Sequence, residues 1–243
     1  RHEIEDPRRR KTGHVQTRPL QASASDATAA RLSNLHPFGR RVARAGGTYK
    51  ISKMVDVVLR AATAGDAAAL SALDVEVWRA SYRRILSRML LDGLPHNPLH
   101  DPQYFLAIVD RSGMDEWLWV VEDDGELAGY CHFGACKDTG CGYMGEFERL
   151  YLRPAIQGRG IGTRILGAAA HRLADQDLLP IRTTVFADNI RARRLCERLG
   201  AREIGHRIAF EDEGRLLQEC IYGWPDSAIL LAAGGVGKDR RAV

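Results

Sequence analysis

Apolar stretches bounded by polar turns recur along the chain from residue 54 to residue 224. They are rich in β-branched and aromatic residues, a pattern typical of β-strands. Asp124-Gly125 separates two of them and predicts a tight hairpin, since glycine accepts the positive φ that such turns need. The predicted strands cover residues 55–59, 117–122, 127–133, 147–152, 181–186, 202–210 and 216–222.

A second apolar period, of three to four residues, indicates helices between these strands. Leu70, Leu73 and Val77 recur at this spacing after a polar start at residues 63–66. Two further helices are predicted over residues 160–175 and 190–199, and a loop with three prolines over residues 92–103. The order of the elements predicts an α/β fold, with a mixed central sheet and helices on both faces.

The charge of the chain is unevenly distributed. Residues 1–53 hold twelve basic and four acidic residues, and residues 225–243 hold three and two, so the net charge of +4 leaves residues 54–224 at about −5. We interpret residues 1–53 as a basic, disordered extension, with Met54 as the natural initiator, and residues 225–243 as a flexible tail. Because the central domain is acidic, we expect no nucleic-acid partner.

Several classes of protein are disfavoured by composition. No apolar run approaches the roughly 20 residues of a membrane span, and no apolar segment follows the basic N-terminus as a secretory signal requires. The five cysteines, an odd number at irregular spacing, predict neither a disulfide framework nor a metal site. We therefore expect a cytoplasmic protein with reduced thiols, no membrane partner and no metal.

The segment Gln157-Gly158-Arg159-Gly160-Ile161-Gly162 lies between a predicted strand and a predicted helix. Glycines at such a turn let the backbone approach a ligand, and the helix N-terminus favours an anion such as a pyrophosphate. The spacing differs from the dinucleotide-binding fingerprint, because Thr163 stands where its third glycine belongs. A merely tight turn is the alternative interpretation.

The flanking sequence resembles the GNAT superfamily of N-acetyltransferases. Gln157, Gly160 and Gly162 match its Gln/Arg-x-x-Gly-x-Gly/Ala motif, and residues 185–189 with Ala192 resemble its strand-Asn-x-x-Ala motif. Residues 59–67, 123–129, 150–154 and 199–201 resemble other family segments, in the family's order. The resemblance covers residues 54–224 and implies a GNAT-like mixed, mostly antiparallel sheet.

The resemblance implies transfer of the acetyl group of acetyl-CoA to a primary amine, by direct attack in a ternary complex. In the family, the fourth and fifth strands splay apart and hold acetyl-CoA. The implied cofactor-binding residues are Leu150, Tyr151, Leu152, Gln157, Gly158, Arg159, Gly160, Ile161, Gly162, Thr163, Asn189, Ala192 and Arg193.

The reaction needs a group that removes a proton from the amine. Glu146 and Glu148 are the candidates, and strand alternation predicts that they share a face with Leu150 and Leu152. Cys196 occupies the position where many family members carry a tyrosine that protonates the leaving thiolate. It is a candidate acid or a plain buried thiol, and water, Tyr151 or Tyr143 are alternative acids.

Trp78 and Tyr82, four residues apart on the first helix, are candidates for the acceptor site or for core packing. The resemblance implies a small-molecule or protein amine as the acceptor, and dimers are common in the family, so a homodimer is an expectation as well. The alternative function is a catalytically inactive, acyl-CoA-binding scaffold or regulatory module, which would bind the cofactor without turnover.

Overall fold

The computed structural model describes residues 49–50 and 57–234. Within these residues, eight strands form one sheet in the order β1-β2-β3-β4-β5-β6-β8-β7. Seven of them correspond to the predicted strands. The strands are β1 (Tyr49–Lys50), β2 (Val57–Ala61), β3 (Glu116–Asp123), β4 (Glu126–Ala135), β5 (Gly145–Leu152), β6 (Ile181–Phe186), β7 (Arg202–Asp212) and β8 (Arg215–Trp224).

All neighbouring strands are antiparallel except β5 and β6, so the predicted mixed, mostly antiparallel sheet is confirmed. The parallel pairing extends only from Gly145, opposite Ile181, to Phe147, opposite Thr183. Beyond that point β5 stays paired with β4, whereas β6 pairs only with β8. The two central strands therefore splay apart along most of their length.

The helices cover both faces of this sheet, as predicted. Trp117 and Trp119 of β3 face a core that contains Ile165 of α4, whereas Leu118 and Val120 face a core that contains Leu73 of α1. Alternate side chains of β3 thus pack into the two cores on opposite faces of the sheet. The helices are α1 (Ala67–Tyr82), α2 (Arg88–Gly93), α3 (Pro102–Arg111), α4 (Ile161–Ala174), α5 (Ile190–Arg198) and α6 (Ala228–Ala233).

The loop predicted over residues 92–103 is more ordered than its prolines suggest. Pro98 starts a short 3-10 turn, and Pro102 starts α3, whose N-cap Asp101 accepts a hydrogen bond from the Gln103 N–H at 2.8 Å. Proline fits the first turn of a helix because the N–H that it lacks has no partner there. A proline-rich sequence therefore marks helix starts here.

Both ends of the domain extend further than predicted. Tyr49 and Lys50 pair with Leu59 and Val58 of β2, although the sequence pattern assigns them to the extension. The predicted flexible tail is wrong for residues 228–233, since Leu230 of α6 is fully buried. The rest of the predicted extension, including Met54, and residues 235–243 lie outside the described residues. No helix in the described part of the chain is long and apolar enough to cross a bilayer.

Candidate active site

A cavity of about 890 Å³ occupies the gap between the splayed strands β5 and β6. The N-terminal turn of α4, one side of α5 and the C-terminal end of α1 complete its wall. Fifteen of the predicted site residues line it, so residues from both ends of the predicted domain meet in one place. They are Trp78, Tyr82, Glu148, Leu150, Tyr151, Leu152, Gln157, Gly158, Gly160, Ile161, Gly162, Thr163, Asn189, Ala192 and Cys196.

The glycine-rich turn has the backbone that its sequence predicts. Gly158 and Gly160 have φ of 81° and 76°, and a Cβ at either position would meet nothing within 4 Å. Gly160 is the N-cap of α4, so the unpaired amides of the first helical turn face the cavity. The Gln157 side chain donates to the Leu152 carbonyl at 2.6 Å and ties the turn to the end of β5. This turn can bind an anion.

Two predicted cofactor-binding arginines lie outside the cavity wall. Arg159 contacts the Asp123 carboxylate at 3.4 Å, and Arg193 donates to the Tyr222 hydroxyl at 3.0 Å and to the Ala187 carbonyl at 3.1 Å. Their guanidinium groups are thus engaged elsewhere.

Arg191 and Arg198 of α5 line the cavity instead. The pattern that identifies them is helical: with Leu195 they stand at i, i+4 and i+7 and therefore share one face. They bring positive charge to the cavity, whereas Arg193, the arginine of α5 among the predicted cofactor-binding residues, does not line it.

A β-bulge interrupts strand β5 at Glu148. Phe147 lies opposite Phe133 of β4, and Arg149 lies opposite the next residue, His132, so Glu148 is an extra residue in its strand. The bulge reverses the alternation. Leu150 and Leu152 consequently face α4, whereas Arg149 and Tyr151 face α1. The prediction that Glu146 and Glu148 share a face with Leu150 and Leu152 is therefore wrong.

The two candidate bases differ in position. Glu146 lies outside the cavity wall and contacts Arg182 Nε at 3.3 Å. Glu148 lines the cavity, with Oε1 at 2.7 Å from Lys137 Nζ and Oε2 at 3.6 Å from His132 Nδ1. Only Glu148 of the two is placed to take a proton from a molecule in the cavity.

Glu116 of β3 lies next to His132, outside the set of residues that line the cavity. Burial alone would raise the pKa of its carboxyl, but hydrogen bonds from His132 at 2.7 Å and from Arg111 at 2.8 Å lower that pKa to about 2. Glu116, His132 and Glu148 each present one ligand atom within 4.8 Å of the others, a spacing that suits a metal ion. The Lys137 ammonium supplies a positive charge there, 3.7 Å from Glu116. The expectation of no metal stays a prediction.

Aromatic side chains form the wall of the cavity on the α1 side. The Tyr82 and Tyr151 hydroxyls lie 2.9 Å apart, and the ring centroids of Trp78 and Tyr82 are 5.0 Å apart. Burial raises the pKa of Tyr82 to about 12 and that of Tyr151 well above its ordinary value, so both phenols stay neutral. Trp78 Nε1 is buried with no hydrogen-bond partner among the described residues. These side chains thus pack in the core and also line the cavity.

A buried carboxylate lies beneath that aromatic wall. Asp74 of α1 is fully buried and accepts hydrogen bonds from Tyr130 Oη at 2.5 Å, His100 Nδ1 at 2.6 Å and Arg149 Nη1 at 3.3 Å. The Arg149 guanidinium lies 4.7 Å from the centroid of the Tyr104 ring and lines the cavity. This network is absent from the predicted site, although an aspartate on the apolar face of a helix is a signal for it.

Tyr143, an alternative acid, lies away from the cavity: a Cβ at Gly223 of β8 would collide with its hydroxyl. Cys196 does line the cavity, and burial raises the pKa of its thiol to about 12. A thiol with so high a pKa is a poor proton donor to a thiolate. We therefore interpret Cys196 as a packing residue.

We expect Cys196→Ala to change kcat for amine acetylation by no more than about threefold, because the thiol delivers no proton in the reaction. Steady-state kinetics at saturating acetyl-CoA, with thermal unfolding to account for the small cavity, would measure this. A fall of about 100-fold in kcat with an unchanged KM for acetyl-CoA, as expected for loss of a general acid, would contradict it.

The sequence matches the Acetyltransferase (GNAT) family over residues 79–201. This match covers half of the chain, so the protein belongs to the GNAT acetyltransferase family, and the predicted resemblance is confirmed.

Individual relatives are similar in sequence to parts of this chain. The mycothiol acetyltransferase of Tsukamurella paurometabola is 34% identical over 106 residues, which are 44% of this chain and 34% of that protein. The chain thus spans about a third of that relative's length. The uncharacterised N-acetyltransferase YuaI of Bacillus subtilis is 25% identical over 175 residues, which are 72% of this chain and 96% of that protein.

The fold is similar to that of PaiA N-acetyltransferase from Thermoplasma acidophilum, solved in complex with coenzyme A. The two structures superpose with a TM-score of 0.54 at 19% identity, over 67% of this chain and 97% of that chain. The likeness supports the fold.

Proposed function

We propose that the protein transfers the acetyl group of acetyl-CoA to a primary amine, by direct attack of the amine in a ternary complex. The observation that carries this proposal is the gap between β5 and β6, with the Gly158–Gly160 turn at one side. A gap between two parallel strands leaves backbone groups of β5 free to bind an extended chain such as pantetheine. The amides at the start of α4 suit its pyrophosphate.

Other residues of the cavity bind the phosphates, remove a proton from the amine and receive the acceptor. Arg191 and Arg198 offer positive charge to the phosphate end of the acetyl donor. Glu148 takes a proton from the acceptor ammonium, since only the free amine has a lone pair for attack on the thioester carbon. The acceptor enters beside Trp78, Tyr82 and Arg149, on the face away from α4.

The relatives agree with this assignment without identifying the acceptor. One is a mycothiol acetyltransferase, and a structure with a similar fold contains coenzyme A. A cytoplasmic location and a homodimer stay predictions.

Calorimetric titration of the full chain with acetyl-CoA, followed by release of free thiol in the presence of amines, tests the proposal. The amines should include a polyamine, an aminoglycoside, free amino acids and a peptide with a free N-terminus. We expect micromolar affinity and amine-dependent thiol release.

Binding without thiol release for any amine would favour the scaffold function. The replacement of the family's tyrosine by Cys196 agrees with that function, because it removes the usual proton donor to the leaving thiolate. Absence of binding to acetyl-CoA and to longer acyl-CoA molecules would overturn both functions.

A further inference from the structure

Two cysteines of the loop between β4 and β5 lie side by side. The Sγ atoms of Cys136 and Cys141 are 3.6 Å apart, and both side chains are partly exposed. The other three cysteines of the chain, Cys131, Cys196 and Cys220, are buried. A small reagent can therefore reach this pair, the Cys136–Cys141 dithiol, in the folded protein.

The fold holds the two thiols close to the geometry of a disulfide. The Cys136 N–H donates to the Met144 carbonyl at 2.7 Å, which fixes the start of the loop at the end of β4. A disulfide bond is about 2.05 Å long, so the two sulfur atoms must approach each other by roughly 1.5 Å. The loop has room for this movement, since a Cβ at Gly140 or at Gly142 would meet nothing within 4 Å.

We propose that the Cys136–Cys141 dithiol is a site of thiol–disulfide exchange with small-molecule disulfides, a reaction separate from acetyl transfer. The Cys141 thiol loses its proton, and its sulfur attacks the small disulfide, so that a mixed disulfide forms and one small thiolate leaves. The Cys136 sulfur then loses its own proton, attacks Cys141 Sγ and expels the second small thiolate. Each leaving thiolate gains one proton. The small disulfide is thus reduced to two thiols, and the dithiol is oxidised to one disulfide.

The surroundings of Cys136 suit it to the second attack. Burial raises the pKa of its thiol to about 12, so very little of it is the thiolate that could attack a disulfide from solution. Such a thiol reacts readily only with a sulfur that is held beside it. Cys141 Sγ is in that position in the mixed disulfide.

Mass spectrometry of the full chain tests the exchange. The folded protein is incubated with the disulfide of mercaptoethanol, a small neutral molecule, and the reaction is stopped with acid. We expect the protein to lose two hydrogen atoms in mass and to keep no thiol adduct. Trypsin cleaves after Lys137, between the two cysteines, so the disulfide should appear as two linked peptides that reduction separates. A stable adduct on both cysteines, or no reaction of the folded protein, would overturn the proposal.

Serine variants test the order of the two attacks. In Cys136→Ser the mixed disulfide has no second thiol beside it, so one adduct should persist on Cys141. In Cys141→Ser the adduct on Cys136 should form about tenfold more slowly or less, because that thiol must meet the reagent itself. The matched control is Cys220→Ser, at a buried cysteine of β8, which should form the disulfide of the loop like the wild type. Faster adduct formation on Cys136 than on Cys141 would contradict the proposed steps.

The unfolded chain shows whether the fold, or only the short spacing in sequence, brings the thiols together. The ratio of disulfide to dithiol is measured in mixtures of mercaptoethanol and its disulfide, in buffer and in urea. We expect the equilibrium constant for disulfide formation to be about tenfold larger, or more, in the folded protein. An equal or smaller constant would mean that the fold does not build this site. No acetyl-CoA or amine is used, so failure here is separate from failure of the proposed function.

Discussion

Gly160→Glu is expected to weaken acetyl-CoA binding by about 100-fold or more, because it strains the backbone of the anion site and also adds a negative charge there. The residue has φ of 76°, a conformation that glycine adopts easily and other residues adopt at a cost of about 1 kcal/mol. The new carboxylate would also stand at the helix N-terminus where the pyrophosphate is expected. Calorimetric titration with acetyl-CoA measures the effect.

Gly214→Glu is the matched control for the backbone cost. Gly214 lies in the turn between β7 and β8, has φ of 80°, and has nothing within 4 Å of an added Cβ. We expect this variant to lose a similar amount of stability and to bind acetyl-CoA like the wild type. Gly160→Ala should lose less affinity than Gly160→Glu, since it adds no charge. Wild-type affinity in Gly160→Glu would exclude this turn as the pyrophosphate site.

Asp74→Ala is expected to destabilise the fold by about 3–5 kcal/mol, the usual cost of leaving a buried charge without its partner. Asp74 is fully buried, and its removal leaves Tyr130, His100 and Arg149 without their shared acceptor. The free energy of unfolding from urea denaturation, compared with that of the wild type, measures the loss.

Two further variants identify the cause of that loss. Asp74→Ala combined with Arg149→Met should recover part of the stability, because no guanidinium is then left unpaired. Glu76→Ala, on the same helix, removes a more exposed ion pair with Arg153 at 3.1 Å and should cost at most about 1 kcal/mol. If the double variant is no more stable than Asp74→Ala, lost packing rather than the unpaired charge explains the effect.

Local patterns were sufficient to predict much of this protein. The alternation along β3 and the turn at Gly160 are set by residues close in sequence, so their conformations can be inferred from short segments. The family resemblance added the mostly antiparallel pairing of the sheet and the gap between two of its strands.

Features that depend on distant residues could not be inferred in this way. The bulge at Glu148 depends on how β5 pairs with β4, and alternation alone gives the wrong face for Leu150. The partners of Asp74 come from β4, β5 and the segment before α3, and no short pattern connects them. For the same reason the sequence does not show that Arg193 lies away from the cavity, since its contact with Tyr222 is tertiary.

The contact between α4 and α6 sets where this protein can be shortened. A Cβ at Gly167 would collide with the backbone of Gly234, and the His171 ring nitrogen lies 3.0 Å from the Leu231 carbonyl. Cleavage after residue 224 would therefore uncover the middle of the helix whose first turn faces the cavity. A protease that removes α6, or a fusion partner joined at residue 225, would therefore disturb the anion site through the middle of α4, without touching the site itself.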